Sequence, residues 1–360
     1  MKKTILAALL PAMLVAGTAQ AASVYQAEDG SNVDVFGRLG FNAHNRTSGD
    51  NADGDMRGSF DNRLGFGGSQ TINDQMSVIG WAEYQIGAAE GSNAGNDSFT
   101  ARYVWAGVDM GNMGKVTGGR VASGLIMATD IADVFASSDV NLASQASVIN
   151  TNATQVFRQD DTIQYQNSIA GFDMSAAYII GNDRLKNGYN LALRYTLDMG
   201  NAGKLAPVVG YQSNTAEDGT REIVNGSATG SELDKNDFWV VGTRYYFNDL
   251  MLGAVYSEDK VSYRGNVEDT KDKGYELTAV YDFQNDWVVR GGYRDYKKTS
   301  GSTTDSKMKD WTAEVQYKLT DRSSIFTSYI LRDGEDNSKA SNAKYDLNQD
   351  YYNVGLRYEF

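Results

Sequence analysis

The chain has 360 residues, with 46 acidic against 33 basic side chains, a formal net charge of −13, a single histidine and no cysteine. Acidity on this scale argues against nucleic acid as a partner, because phosphate binding needs a basic face. Without cysteine there is no disulfide framework, thiolate chemistry or Cys/His metal site, and no cofactor or metal is expected.

The N-terminus carries Lys2 and Lys3, an apolar run from Ile5 to Val15 interrupted by Pro11, and the small-residue signal Ala19-Gln20-Ala21. This order reads as a secretory signal peptide. Residues 1–21 are therefore expected to be cleaved, leaving 22–360 as one exported domain. Beyond that segment no apolar run is long enough for a transmembrane helix, and the mean hydropathy is −0.45. A low mean does not exclude the membrane, since barrel strands alternate lipid-facing and lumen-facing side chains and average out as polar.

Period-2 segments recur along the rest of the chain, at about 33–42, 59–70, 75–87, 99–110, 114–120, 155–168, 172–181, 188–198, 204–212, 237–247, 250–257, 273–283, 287–296, 309–319, 323–331 and 350–360. Tyr275, Leu277, Ala279, Tyr281 and Phe283 oppose Glu276, Thr278, Val280 and Asp282. In the last segment Tyr352, Val354, Leu356, Tyr358 and Phe360 oppose Asn353, Gly355, Arg357 and Glu359. Alternation alone fits a soluble sandwich or a membrane barrel. The connections choose between them. Seven are short and turn-like, whereas eight, near 43–58, 88–98, 121–154, 182–187, 213–236, 258–272, 297–308 and 332–349, are longer and rich in Gly, Asn, Asp, Ser and Thr. Short turns at one end and long loops at the other is the outer-membrane arrangement. The expected fold is all-β, a sixteen-stranded antiparallel transmembrane β-barrel. Closure follows because an open edge in lipid would leave backbone groups unsatisfied, and sixteen strands leave an aqueous channel.

The residues Val33-Asp34-Val35-Phe36-Gly37-Arg38, Asp61-Asn62-Arg63-Leu64-Gly65-Phe66-Gly67-Gly68 and Arg102-Tyr103-Val104-Trp105-Ala106-Gly107-Val108, with the aromatic C-terminal strand, resemble the trimeric general diffusion porins of Gram-negative bacteria. The resemblance implies a homotrimer in the outer membrane with one pore per subunit, passing small hydrophilic solutes. It also implies a third loop, here 121–154, folded into the lumen. Carried over by motif, the basic side of the constriction would be Arg38, Arg63, Arg102 and Arg158, facing Asp130 of Thr129-Asp130. The family's Pro-Glu-Phe-Gly-Gly is missing from the loop. Ala132-Asp133-Val134-Phe135-Ala136-Ser137 stands in its place, making Asp133 the candidate second acid. Glu83 in Trp81-Ala82-Glu83-Tyr84 matches an inward acid of the third strand. The resemblance makes Phe360 a signal for the outer-membrane assembly machinery.

Alternation agrees on the wall. With Leu64 and Phe66 on the lipid side Arg63 must face the lumen, and with Tyr103 and Trp105 outward Arg102 must do so too. Either arginine in lipid at mid-depth would cost roughly 2 to 4 kcal/mol. Glu258, Asp259, Glu268, Asp269 and Asp272 form a hydrated acidic surface, or one that holds Ca²⁺ or Mg²⁺ bridged to lipopolysaccharide phosphates. A barrel enzyme needs an acid/base set, and His44 has no Ser or Asp relay partner by spacing, so no enzymatic activity is expected. A sugar-specific channel would need a lengthwise aromatic track on the lumen side, and an adhesin or phage-receptor role of the loops is compatible with a pore. The acidic balance near the mouth predicts weak cation preference, strongest at low salt.

Overall fold

A computed structural model describes residues 22–46, 54–87, 99–137, 142–143, 145–151, 153, 158–224, 226–336 and 348–360. The expected signal peptide, 1–21, lies outside the described residues. The strands are β1 Ala22–Gln26, β2 Asn32–His44, β3 Arg57–Phe60, β4 Asn62–Asn73, β5 Met76–Ile86, β6 Phe99–Asp109, β7 Lys115–Ala122, β8 Arg158–Ile169, β9 Phe172–Ile180 and β10 Leu185–Tyr195. They continue with β11 Leu197–Asp198, β12 Lys204–Ala216, β13 Leu233–Phe247, β14 Leu250–Tyr263, β15 Thr270–Asp282, β16 Trp287–Ser300, β17 Thr303–Thr320, β18 Ser323–Asp336 and β19 Tyr351–Glu359.

These strands make a closed antiparallel barrel of sixteen staves. β3 and β4 are one stave interrupted at Asp61, β10 and β11 another interrupted at Thr196, and β1 folds back along the start of β2. The ring closes where β19 pairs with β2, Glu359 opposite Arg38 and Asn353 opposite His44. Gly37 and Phe360 exchange backbone hydrogen bonds at the end of that seam, and β1 continues it, with Ala22 opposite Val35. No stave lacks a partner on either side, as hydrocarbon requires. The short turns use local chemistry suited to their shape. At Ala170-Gly171 both residues have positive φ, the geometry of a two-residue turn whose twist matches its strands.

All sixteen expected segments overlap a stave, but the later hairpins are longer than their apolar alternation. The sixth and seventh long connections contract to 264–269 and 301–302, because β14 to β18 run past the lipid-facing part. Polar residues such as Lys297-Lys298-Thr299-Ser300 pair through their backbones with β15 and β17. Alternation marks the part of a strand in lipid, whereas the ladder depends on backbone groups alone.

On β9 to β18 the outward positions Tyr178, Leu191, Val209, Val241, Leu277, Trp311 and Leu331 are exposed, while the inward Ala177, Asn190, Val208, Val240, Glu276, Asp310 and Arg332 are buried. The third long connection runs inside this wall. It contains the single-turn helix α1, Ile126–Thr129. Its Leu125, Met127, Ala128, Ile131, Ala132, Leu142, Ala143 and Ala146 form one apolar cluster with Ala192, Val208, Phe238, Val240, Val255, Tyr296 and Met308 of the inner wall. Gly210, Gly242 and Gly292 let it approach closely, since a Cβ there would collide with Leu125, Ile131 and Phe135 respectively. Part of the lumen wall is therefore a packed apolar seat, flanked by buried ion pairs such as Arg194–Asp173 and Arg294–Asp310. Phe238→Ala should remove about 3 to 5 kcal/mol of packing and lower the temperature at which the folded barrel converts to its extended form on SDS gels. An unchanged midpoint would show that polar anchors alone hold the loop.

Candidate pore constriction

Opposite the apolar seat the inner wall is charged. Arg38 on β2 bonds Asp61 at 2.8 Å and Glu359 of β19 at 2.6 Å. Arg63 on β4 lies 3.2 Å from Asp61 and 4.0 Å from Glu83, and Arg102 on β6 bonds the same Glu83 at 2.5 Å and Gln85 at 3.1 Å. Arg120 of β7 pairs with Asp160 of β8. Arg158 stands over the Tyr103 ring at 5.9 Å, with Arg102 over the same ring at 6.0 Å. Arg357 of β19 reaches Asp61 at 3.8 Å and donates to the Ala136 carbonyl at 2.7 Å. The four arginines expected from the motifs share one wall with Arg120 and Arg357, and Glu83 sits among them, buried.

The loop is held by groups spread around the barrel. Arg244 donates to the Asp130 carbonyl, and Thr278 Oγ1 donates to the Ile131 carbonyl at 2.7 Å. The Ala136 and Ser137 amides donate to the two oxygens of Glu314 at 2.8 and 3.0 Å, while the Gln145 amide donates to Asp259 at 2.8 Å. Its two candidate acids are placed differently. Asp133 is exposed to the lumen and feels Arg63, Arg357, Arg38 and Arg244. Asp130 instead has Arg244 and Arg194 as its cationic neighbours, away from the Arg38–Arg63–Arg102 wall.

One expected orientation is corrected. Tyr103 and Trp105 face the lumen, because Glu83 pairs with Tyr103 and Trp81 with Trp105, while Tyr84 pairs with Ala101. Arg102 is the extra residue of a β-bulge, so it reaches Glu83 from a position that simple alternation would assign to the other face. Phe36, Trp81 and Tyr103 form a buried aromatic cluster with Trp105 against it. Phe36 and Trp81 stack at 4.0 Å between centroids and lie over Gly65 and Gly67, where a Cβ would collide with each ring. This patch runs around the wall across β2, β5 and β6, so it is not a lengthwise track for sugars.

The closed sixteen-stave barrel has clear counterparts among known proteins. The model of the Gram-negative porin family matches residues 6–337. Outer membrane porin N of Escherichia coli K12 is 30% identical over 305 residues, covering 79% of this chain and 77% of that protein. Outer membrane protein F of Serratia marcescens is 25% identical over the full length of both. The chain belongs to the Gram-negative porins. Among solved structures, Salmonella typhi OmpF in complex with daunomycin superposes with a TM-score of 0.74 at 19% identity, covering 94% of this chain and all of that one. The anion-selective porin of Comamonas acidovorans gives 0.69 at 21%, covering 92% and 100%. The trimer form of Vibrio cholerae OmpT gives 0.69 at 17%, covering 92% and 99%. This porin is accordingly an outer-membrane diffusion channel and not an enzyme.

Within the porin the acidic stretch around β14 and β15 does not form one cluster. Asp259 and Asp272 point inward and are buried, Glu258 pairs outward with Lys271 at 3.8 Å, and Asp269 with Lys260 at 2.7 Å. No group of three or more His, Asp or Glu able to hold a metal occurs among the described residues. Neighbouring inward and outward positions on a strand separate these acids by the thickness of the wall.

Enclosure within the barrel pushes the Asp130 carboxyl up to about 6, with Arg244 pulling it down and Asp133 pushing it further up. Asp133 is raised for the same reason, against the pull of Arg63, Arg357 and Arg38. With its pKa raised only to about 6, Asp130 is still mostly charged at neutral pH, and the upward shift makes it mostly protonated at roughly pH 5. The cation-to-anion permeability ratio in reversal-potential measurements should fall between pH 7 and 5, and Asp130→Asn should flatten that change.

Proposed function

We propose that this porin is a non-specific pore for small hydrophilic solutes and ions, weakly cation-selective, whose narrow section lies between the arginine wall and the third loop. The observation carrying this reading is Asp133, exposed on the loop and opposed by Arg63, Arg357 and Arg38. Opposed charges across a narrow water column set a transverse field that orders water, so a bulky apolar solute must disrupt that order to pass. Arg38, Arg63, Arg102 and Arg158 would supply the positive side, with Glu83 holding Arg102 in place and Asp133 the negative side. Asp130 would add charge behind it. Most wall arginines carry a carboxylate partner, which moderates their preference for anions, while the net charge of −13 raises cation concentration at the mouth.

Export by a cleaved peptide at 1–21, a homotrimeric assembly like that of the Vibrio cholerae OmpT trimer, and lipopolysaccharide as lipid partner complete the proposal. Planar-bilayer recording should show stepwise conductance with weak cation preference at low salt. Arg158→Ser should strengthen that preference and Asp133→Asn weaken it, whereas clear anion preference of the wild type would make the lumen arginines dominant. Phe360, whose ring rests against Gly37 at the seam, is proposed as the assembly signal. Its deletion should reduce the yield of heat-resistant trimers in cells, and normal yield would remove it from that role.

A further inference from the structure

We propose that Tyr103 determines the ion selectivity of this pore as a positioning residue, whose ring holds the guanidinium of Arg158 back against the wall and out of the water column. The inference rests on the constriction proposed above. The β-bulge at Arg102 turns two successive residues of β6 inward, so Tyr103 stands opposite Glu83 with Arg102 beside it. Tyr103 is buried in the aromatic cluster with Phe36 and Trp81. Ala122 packs against the same cluster, and Arg158 is the residue opposite Ala122 on β8. Register therefore delivers two guanidinium groups to one ring, Arg158 at 5.9 Å and Arg102 at 6.0 Å from its centroid.

Three arginines meet here, and two of them are neutralised. Arg102 bonds Glu83 at 2.5 Å, and Arg120, whose Nε donates to the Arg102 carbonyl at 3.1 Å, pairs with Asp160. Among the described residues no carboxylate lies within ion-pair distance of Arg158. Its charged neighbours Arg102 and Arg120 repel it, and the attraction comes from the ring face and hydroxyl oxygen of Tyr103. A guanidinium over an aromatic face is held by the ring quadrupole, more strongly where water is partly excluded, and Arg158 is half-buried. Arg332 and Arg357 also stand over rings, those of Tyr351 and Phe326, but each has a carboxylate as well, Asp310 and Asp61. At Arg158 a ring stands where an acid stands elsewhere.

Tyr103 thereby sets where one positive charge stands in the lumen. Held over the ring, Arg158 leaves the water column open and exerts its field from the wall. Without the ring, repulsion from Arg102 and Arg120 drives its long side chain toward the lumen, where Asp133 is exposed. A guanidinium nearer the axis attracts anions and repels cations more strongly, because Coulomb energy rises as distance falls. Its stem also obstructs the column. The ring therefore favours cations and a wide passage at once, although it carries no charge itself.

The test is a double-mutant cycle between Tyr103 and Arg158, read as reversal potential and single-channel conductance of the purified porin in planar bilayers at low salt. Tyr103→Leu should lower the cation-to-anion permeability ratio roughly twofold and reduce conductance, whereas Tyr103→Phe, which keeps the ring, should stay close to wild type. In an Arg158→Ser background Tyr103→Leu should change neither quantity. Tyr103→pentafluorophenylalanine keeps the shape of a ring and removes its electron-rich face, so it should behave as Tyr103→Leu does and decides the matter even if the Leu variant fails to assemble. Equal shifts in both backgrounds, or a pentafluorophenylalanine variant like wild type, would overturn the positioning role and leave the constriction standing. A Tyr103→Phe variant that shifts as far as Tyr103→Leu would assign the hold to the hydroxyl and reject the ring. Wild-type selectivity in Arg158→Ser alone would remove Arg158 from the constriction, and the inference would fall with that reading.

Discussion

Backbone hydrogen bonding in hydrocarbon is the constraint from which the rest of this structure follows. No water is available there to satisfy an open strand edge, so the sheet must return to itself. Here β19 meets β2, and β1 extends the same seam where β19 ends. Closure with sixteen staves sets an interior too wide for wall side chains to fill. The third loop occupies part of that interior.

The filling is asymmetric, and the asymmetry makes the pore. Along β10 to β17 the inner wall offers Val208, Val240, Phe238 and Tyr296, and the loop covers them with Leu125, Ile131 and Ala132. Along β2 to β8 and β19 the wall offers arginines tied to Asp61, Glu83, Asp160 and Glu359. Apolar burial draws the loop to one side, and backbone contacts to Arg244, Thr278, Glu314 and Arg357 set its height and tilt. The arginines of that wall stay partly exposed to the water column, whereas Arg294 and Arg332 beside the seat are buried and both paired with Asp310. The loop acid presented to them is Asp133 rather than Asp130, since Asp130 is held through its carbonyl by Arg244.

Period-2 alternation is visible residue by residue, and it assigns Arg63, Arg357, Glu359 and the faces of β15 and β17 correctly. It fails where the backbone breaks step. At Arg102 a bulge puts two successive residues on the lumen side, and no residue pattern in Arg102-Tyr103-Val104-Trp105 announces it. Asp61 was legible by spacing, two residues before Arg63 on the same face, whereas Glu314 could be placed inward but not matched to the Ala136 and Ser137 amides. The acids from Glu258 to Asp272 look like one cluster in the chain and fall on opposite faces in the barrel.

What the order of residues could establish was the class of solvent each face meets, because alternation records where a strand touches lipid, and the number of staves, because turns and loops punctuate them. It could also mark the family through local motifs. Which wall groups hold the third loop was settled in three dimensions. Those contacts join β13, β15, β17 and β19 to a loop between β7 and β8, over separations of 114 to 221 residues. Register, bulges and the packing of Leu125 and Ile131 over wall glycines decide such distances. They are properties of the closed ring as a whole, and no single strand carries them.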